Sequence, residues 1–230
     1  MTELQGVDRN TRGQARMLRR VARHPLQFGS GMGVPLTRGG RGGSGAISRR
    51  ARAASLFLLG LPGSAYLYQG EELGLHEVAE IPADQRQDPT FFRTHQEQYG
   101  RDGCRVPLPW TREGSSFGFG SGGAHLPQPS WFADASVEAE EGDPASTLTL
   151  YRRALALRHE LLAPERLEWV ETGRDDVLRF RRPNGWEVVT VFGSAAFVLS
   201  LAPGQRVVLS SAPIDGHTVP GETTVWITGG

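Results

Sequence analysis

The segment Gly63-Ser64-Ala65-Tyr66-Leu67-Tyr68-Gln69-Gly70-Glu71-Glu72-Leu73-Gly74 constrains the fold of this chain more than any other. Its unbroken apolar run, Ala65–Tyr68, reads as a short parallel strand covered on both faces. The run stops at two carboxylates bracketed by glycines. Upstream, Ser48 is placed to cap a helix that runs to about Leu61. Ala51, Ala54, Leu58 and Leu61 fall on one face of it, widened by Phe57 and Leu59, as suits a helix packed against a sheet. Pro62-Gly63 ends the helix. A helix feeding such a strand is one α-to-β step of an α/β protein.

Downstream the texture changes twice. Glu71 to about Asp143 is rich in Pro, Gly and aromatic residues and has no sustained period, which predicts a long irregular excursion of the functional kind. Asp143-Pro144 then offers an N-cap followed by a first-turn proline, opening a helix to about Leu162. Leu148, Tyr151, Leu155 and Leu162 are its expected apolar side. After Pro164 the hydrophobic period becomes two. Leu167–Thr172, Val177–Arg182, Trp186–Phe192, Ala196–Leu201, Arg206–Ser210 and Thr223–Thr228 read as strands, with a hairpin at Pro183-Asn184-Gly185. Short strands with close turns predict a small antiparallel β-sandwich. The fold class is therefore α/β followed by all-β.

Charge divides the chain. All 25 basic residues are arginine, and net charge is zero. Residues 1–52 carry 11 Arg against Glu3 and Asp8, whereas the remainder carries 14 Arg against 23 acids. Residues 1–47 form an atypical Gly/Arg-rich segment expected to be disordered, with a thin-striped basic helix possible over Arg9–Arg23 and a linker over Gly39–Gly45. The join near residue 48 fits either a linker or a change of reading frame. The single cysteine, Cys104, permits no internal disulfide and points to a reducing compartment. No leader is expected, and the apolar run Ala53–Tyr68 is broken at Gly60 and Pro62-Gly63, short of the ~20 residues a bilayer requires. A cytoplasmic protein without a membrane partner is expected.

Glu71 and Glu72 stand where a barrel strand would end, on the face where barrel enzymes build active sites. They can be catalytic carboxylates, or groups that hold the strand end. Arg101, Asp102 and Arg105 offer guanidinium forks beside a carboxylate, which suit a sugar's ring of hydroxyls; a surface ion pair is the alternative. Other chemistries fail. The six histidines are scattered, and His76-Glu77 lacks a second histidine four residues on, so no metal is expected. Ser64 is not in a nucleophile elbow, and the glycine run 39–45 lacks the Lys-Ser/Thr of a phosphate loop. Cys104 has no evident base beside it.

Gly63–Gly74 and the pattern Arg101-Asp102-x-x-Arg105-x-Pro107-x-x-Trp110 together resemble the α-glucosidases (oligo-1,6-glucosidase-like) of the α-amylase family of glycoside hydrolases. The resemblance runs from about Arg49 to the C-terminus, through Leu126–Phe132 and Leu150–Arg158. It implies that residues 48–163 are the C-terminal end of a (β/α)8 barrel, with 48–61 its seventh helix, 64–69 its eighth strand and 143–162 its eighth helix. Residues 164–230 would be the family's C-terminal β-domain. It implies an α-glucoside substrate, no cofactor, Glu71 and Glu72 as strand-end support, and Arg101 at the closed end of the glucose pocket, paired with an early-barrel aspartate. Family members are retaining glycosidases with two carboxylates about 5 Å apart. Their nucleophile, acid and Asn-His-Asp motifs do not occur here, so no catalytic residue is assigned. The chain is expected to be inactive alone, with a lone barrel strand unpaired at both edges. The alternatives are a non-catalytic carbohydrate-binding or complementing fragment and, more weakly, a nucleic-acid binder through the basic N-terminus, where only Phe28 could stack.

Overall fold

The computed structural model describes residues 44–161 and 163–229 and divides them into two compact units. One comprises 44–65 and 153–229, the other Tyr66–Arg152. The expectations for residues 1–43 and for Leu162 lie outside the described residues.

The first unit is a five-stranded antiparallel sheet between a helix and a two-stranded sheet. Its strands are β1 (Glu168–Val170), β2 (Val177–Arg181), β3 (Glu187–Val191), β5 (Arg206–Ser210) and β7 (Thr223–Thr228), in the order β1-β2-β3-β7-β5. β4 (Phe197–Val198) and β6 (Thr218–Val219) form the smaller sheet. The β2–β3 register runs from Val177 opposite Val191 to Arg181 opposite Glu187, closed by the expected turn. Gly185, at φ 82°, is the turn residue in the left-handed region, while the Asn184 carboxamide accepts from the Trp186 N–H. β6 leaves no mark in the sequence, since two residues are too few to show a period.

Side-chain alternation sorts the central strands onto two faces. Val189 and Val191 of β3 and Val225 and Ile227 of β7 join Val177, Leu199 and Val219 in one apolar cluster. The other face carries Thr224 and Trp226, whose side chains donate to the Ala53 and Leu56 carbonyls (2.7 and 3.0 Å) of helix α1, Ser44–Gly60. Phe57 of α1 meets Phe180 edge-to-face at 5.8 Å.

These contacts correct three expectations. The helix does not start at a Ser48 cap; it already includes Ser44, so residues 44–47 are helical rather than the end of a disordered segment. Its buried face is Ala53, Ala54, Leu56, Phe57 and Leu59, rotated from the predicted one, and Leu58 is exposed. Thr224 and Trp226 choose the face by where they place their donors. Finally, α1 belongs to the same compact unit as the sheet, so the boundary at 163/164 marks no break in packing.

Arginines close the end of α1. Arg182, buried, donates to the Gly60, Ala163, Pro164 and Arg166 carbonyls. Arg158 donates to the Leu59, Leu61 and Gly63 carbonyls. They satisfy the orphan carbonyls of a helix C-terminus with the favourable sign of charge.

In the second unit the chain makes short 3₁₀ turns and two short helices, α2 (Pro89–Arg93) and α3 (Val137–Glu140). Val78, Ile81, Val106, Leu126 and Phe132 form its buried cluster. Helix α4 spans Thr147–Glu160 and contributes residues to both units. Its start is set by Ser146, whose hydroxyl accepts from the Thr149 N–H, and not by Asp143, which caps the preceding turn through Ala145. Leu148, Leu150, Tyr151 and Ala154 are its buried apolar residues, whereas Leu155 is exposed.

Candidate functional site

Ser64–Gln69 is exposed, with Tyr66 at 93%, and residues 64–68 have no regular structure before the turn at Gln69. It is not a strand, because among the described residues no other strand pairs with its backbone. A strand is completed by its neighbours' N–H and C=O groups, and apolar composition cannot substitute for them. The chain then turns at Gly70 into a 3₁₀ turn, Glu71–Leu73, anchored by buried Leu73.

The paired carboxylates have different surroundings. Glu72 turns back on the chain and accepts the Gly70 N–H at 2.9 Å. Glu71 lies 3.5 Å from the Tyr151 hydroxyl, a weak contact at best. Burial raises the Glu71 pKa above the ordinary carboxylate value, with the Glu72 charge adding to it, against opposing hydrogen bonds from Tyr68 and Tyr151. A raised carboxylate pKa means that the ionised form disfavours folding. Glu71→Gln is therefore expected to leave stability at neutral pH unchanged or higher by up to ~0.5 kcal/mol, measured by urea unfolding.

The segment 86–105 is fastened by two carboxylates acting in opposite directions. Asp88 caps α2 through Oδ1, which accepts the Thr90 N–H at 2.8 Å. Its Oδ2 accepts the Arg101 N–H at 2.9 Å and pairs with the Arg105 guanidinium at 3.1 Å. Asp102 returns the contact: its Oδ2 accepts the Gln87 and Asp88 N–H groups at 2.9 and 3.0 Å. Gly103 completes the clasp. Its carbonyl accepts the Val78 N–H, and a Cβ at this position would lie 2.5 Å from the Val78 carbonyl oxygen. Arg86 lies over Tyr99 and Phe91, 4.3 and 5.2 Å from their ring centres, and donates to the Ala79 and Tyr99 carbonyls.

The predicted triplet therefore separates. Arg101 is exposed and, among the described residues, its guanidinium makes no hydrogen bond or ion pair. Asp102 is 1% exposed and faces the loop backbone, so it cannot touch a solvent-borne ligand directly. Arg105 is half-exposed and bound to Asp88. Asp88 and Arg86 escape the sequence reading. Asp88-Pro89 carries the same cap-and-proline signal as Asp143-Pro144; Arg86 has no local sequence signal, since its aromatic partners are brought to it by the turn.

The backbone hydrogen bonds of Thr90 and Arg101, foremost, hold the Asp88 pKa at about 2 despite its burial. A depressed carboxylate pKa stabilises the fold above the unfolded value of 3.8 and ceases to do so as pH falls through about 2. Acid titration of the chain between these limits is expected to cost about 1–2 kcal/mol that Asp88→Ala does not lose, read from unfolding at several pH values.

Beside the loop is a recess lined by Leu75, Val106, Leu108 and Phe132 together with Tyr68, Glu71, Glu77 and Cys104. The Tyr68 hydroxyl lies 3.8 Å from the Cys104 sulfur, and its pKa is raised, first by burial and then by that contact. Trp110 is half-exposed, held by its N–H to the Phe117 carbonyl at 2.7 Å. Among the described residues no three His, Cys, Asp or Glu side chains converge as metal ligands, and no helix is long and apolar enough to cross a membrane.

Comparison with known proteins gives the family. Residues 37–164 match the alpha amylase catalytic domain. The chain is 40% identical over 141 residues to a probable alpha-glucosidase of Rhizobium meliloti, covering 60% of this chain and 25% of that protein. It is 26% identical over 174 residues to the oligo-1,6-glucosidase of Parageobacillus thermoglucosidasius, covering 66% of this chain and 31% of that one. The alpha-glucosyl transfer enzyme XgtA superposes with a TM-score of 0.64 at 35% identity, over 82% of this chain and 37% of its own. The trehalulose synthase MutB of Pseudomonas mesoacidophila shares the fold, with a TM-score of 0.62 at 20% identity over 79% of this chain and 38% of its own. The chain thus spans about a quarter to a third of the length of these curated relatives. With more than half of its residues inside the matched catalytic domain, the chain belongs to the α-amylase family.

Proposed function

We propose that this chain forms one wall of the active site of a retaining α-glucosidase-type glycoside hydrolase acting on α-linked gluco-oligosaccharides or disaccharides. The observation that carries the reading is Arg101: an exposed guanidinium without a hydrogen-bond or ion-pair partner among the described residues, on a loop fastened on both sides. A planar fork of donors held in this way orients sugar hydroxyls or an opposing carboxylate. Arg105 is the second donor at the same wall, Asp102 acts by holding the loop, and Glu71 and Glu72 support the end of the 64–69 segment. The names of the relatives, an alpha-glucosidase and an oligo-1,6-glucosidase, support the substrate class.

In this reading Ser64–Gln69, unpaired in the described structure, becomes the eighth strand of a (β/α)8 barrel once the earlier barrel strands pair with it, with α1 the seventh helix, α4 the eighth, and the sheet unit the C-terminal β-domain. The nucleophile and the acid of the two-carboxylate mechanism are assigned to no residue of this sequence. The reaction calls for no cofactor, nucleic acid or membrane, and the setting is cytoplasmic carbohydrate metabolism.

The test is hydrolysis of p-nitrophenyl α-glucoside by the chain, with and without a polypeptide carrying the earlier barrel strands. Hydrolysis is expected in the mixture. Arg101→Ala is expected to lower kcat/KM there by about 10²-fold, roughly 3 kcal/mol of transition-state binding. An unchanged kcat/KM would remove Arg101 from the site. Glucoside binding without turnover in either sample would favour a non-catalytic carbohydrate-binding role.

A further inference from the structure

We propose that Asp88 is a positioning residue for Arg101 and Arg105, a single carboxylate that sets the place of both guanidinium-bearing residues. The proposal rests on the reading of Arg101 as a sugar contact, and extends it to a residue outside the Arg101–Trp110 motif.

The geometry goes beyond what a helix cap requires. A cap needs one side-chain oxygen on an N–H of the first turn, and Oδ1 on Thr90 meets that need. Oδ2 is free for a different task, and it takes the Arg101 N–H and the Arg105 Nη1 together. The carboxyl group also packs directly on the residue preceding Arg101. Gly100 sits at φ +70°, and a Cβ built there would lie 2.5 Å from the Asp88 Cγ. Any larger residue at 100 would therefore displace the carboxyl from Arg101.

The contact is reciprocal. The N–H of Asp88 donates to Asp102, so the residue that positions Arg101 is itself positioned by the residue after Arg101. Moving either carboxylate shifts both segments of the clasp. The Asp88 side chain is 6% exposed, so water cannot readily replace the lost partners. Arg105 is half-exposed and bound only through Asp88 in the described structure, and Arg101 has its backbone fixed while its guanidinium stays unengaged. That division, a fixed main chain and a free head group, is what a ligand-contacting arginine requires: binding then costs only side-chain ordering.

Asp88→Asn separates positioning from capping. Asparagine caps helices as well as aspartate does, so a residue that merely caps α2 predicts no effect. A positioning carboxylate loses its charge towards Arg105 and weakens its hold on the Arg101 N–H. The experiment is amide hydrogen exchange of the 230-residue chain, with the Thr90 amide as the internal control for the cap, and titration with methyl α-glucoside in parallel. The expected result is at least a tenfold loss of protection at Arg101 with Thr90 unchanged, and at least a tenfold weaker glucoside affinity. Equal protection at Arg101 in the two proteins overturns the proposal.

Gly100→Ala is the second variant. It leaves every charge in place and pushes the carboxyl away, and it is expected to expose the Arg101 amide in the same way; an Arg101 amide as protected as before counts against the proposal. If the unsubstituted chain shows no glucoside binding even when mixed with the polypeptide carrying the earlier barrel strands, the sugar-contact reading of Arg101 fails, while the exchange measurement still decides the role of Asp88.

Discussion

Trp226→Ala is expected to lower the unfolding free energy by about 4–5 kcal/mol, a large fraction of what holds a domain of this size together. Trp226 is fully buried on β7, edge-to-face with Trp186 at 4.7 Å, and its indole N–H meets the Leu56 carbonyl of α1. Truncation removes a large side chain from a site walled by sheet and helix, where collapse cannot fill the space. It also removes the indole N–H that the Leu56 carbonyl accepts. Trp226→Phe keeps most of the volume and loses the donor, so it should cost about 1–2 kcal/mol. Urea unfolding followed by far-UV circular dichroism measures both. A cost below about 2 kcal/mol for Trp226→Ala would mean that α1 does not pack on the sheet in solution.

Glu187→Ala is expected to cost about 3–5 kcal/mol. Glu187 is fully buried on β3 and accepts from Arg179 at 2.6 Å, Arg181 at 2.9 Å and Gln205 at 3.0 Å. Arg181 is half-exposed and can return to water, but the Arg179 side chain is only 14% exposed and would remain unpaired. Most of the penalty is that stranded charge. Burial alone would raise the Glu187 pKa, yet the hydrogen bonds from Arg179, Gln205 and Arg181 together lower it. The stabilisation is then present above the ordinary value of 4.5 and is lost as pH falls through the lowered one. Unfolding midpoints measured from neutral pH downwards should decline below about 4.5 in the native chain and decline less in Glu187→Gln. Equal slopes would show that Glu187 does not carry the acid sensitivity.

Part of this was legible in the residues. The strands from Val177 to Ser210 and Thr223 to Thr228 follow from their composition and from the turn at Pro183-Asn184-Gly185, because period and turn chemistry are local. The Arg101–Trp110 motif and Gly63–Gly74 marked the family, since both are short contiguous patterns. The faces of the helices were not legible. Ala53 rather than Ala51, and Ala154 rather than Leu155, are buried because neighbouring elements choose among apolar positions that look equivalent in sequence. β3 and β7 read as half-covered strands but are buried on both sides, since α1 occupies the second face.

Sequence alone determined the kind of chain this is: a helix, an extended apolar run, an irregular loop with paired charges, and an antiparallel sheet. It named the loop that carries Arg101, Asp102 and Arg105. Tertiary structure decided which of those charges face solvent. Asp102 turns inward because Gln87 and Asp88 offer it backbone N–H groups, and Arg101 stays free because Asp88 engages its main chain only. Those choices depend on residues 13 to 15 positions apart in the chain meeting across a turn. The same holds for Ser64–Gln69, whose apolar run specifies a strand's composition while its pairing depends on neighbours elsewhere. Local pattern sets what a segment can become; the hydrogen-bond partners available in space set what it is.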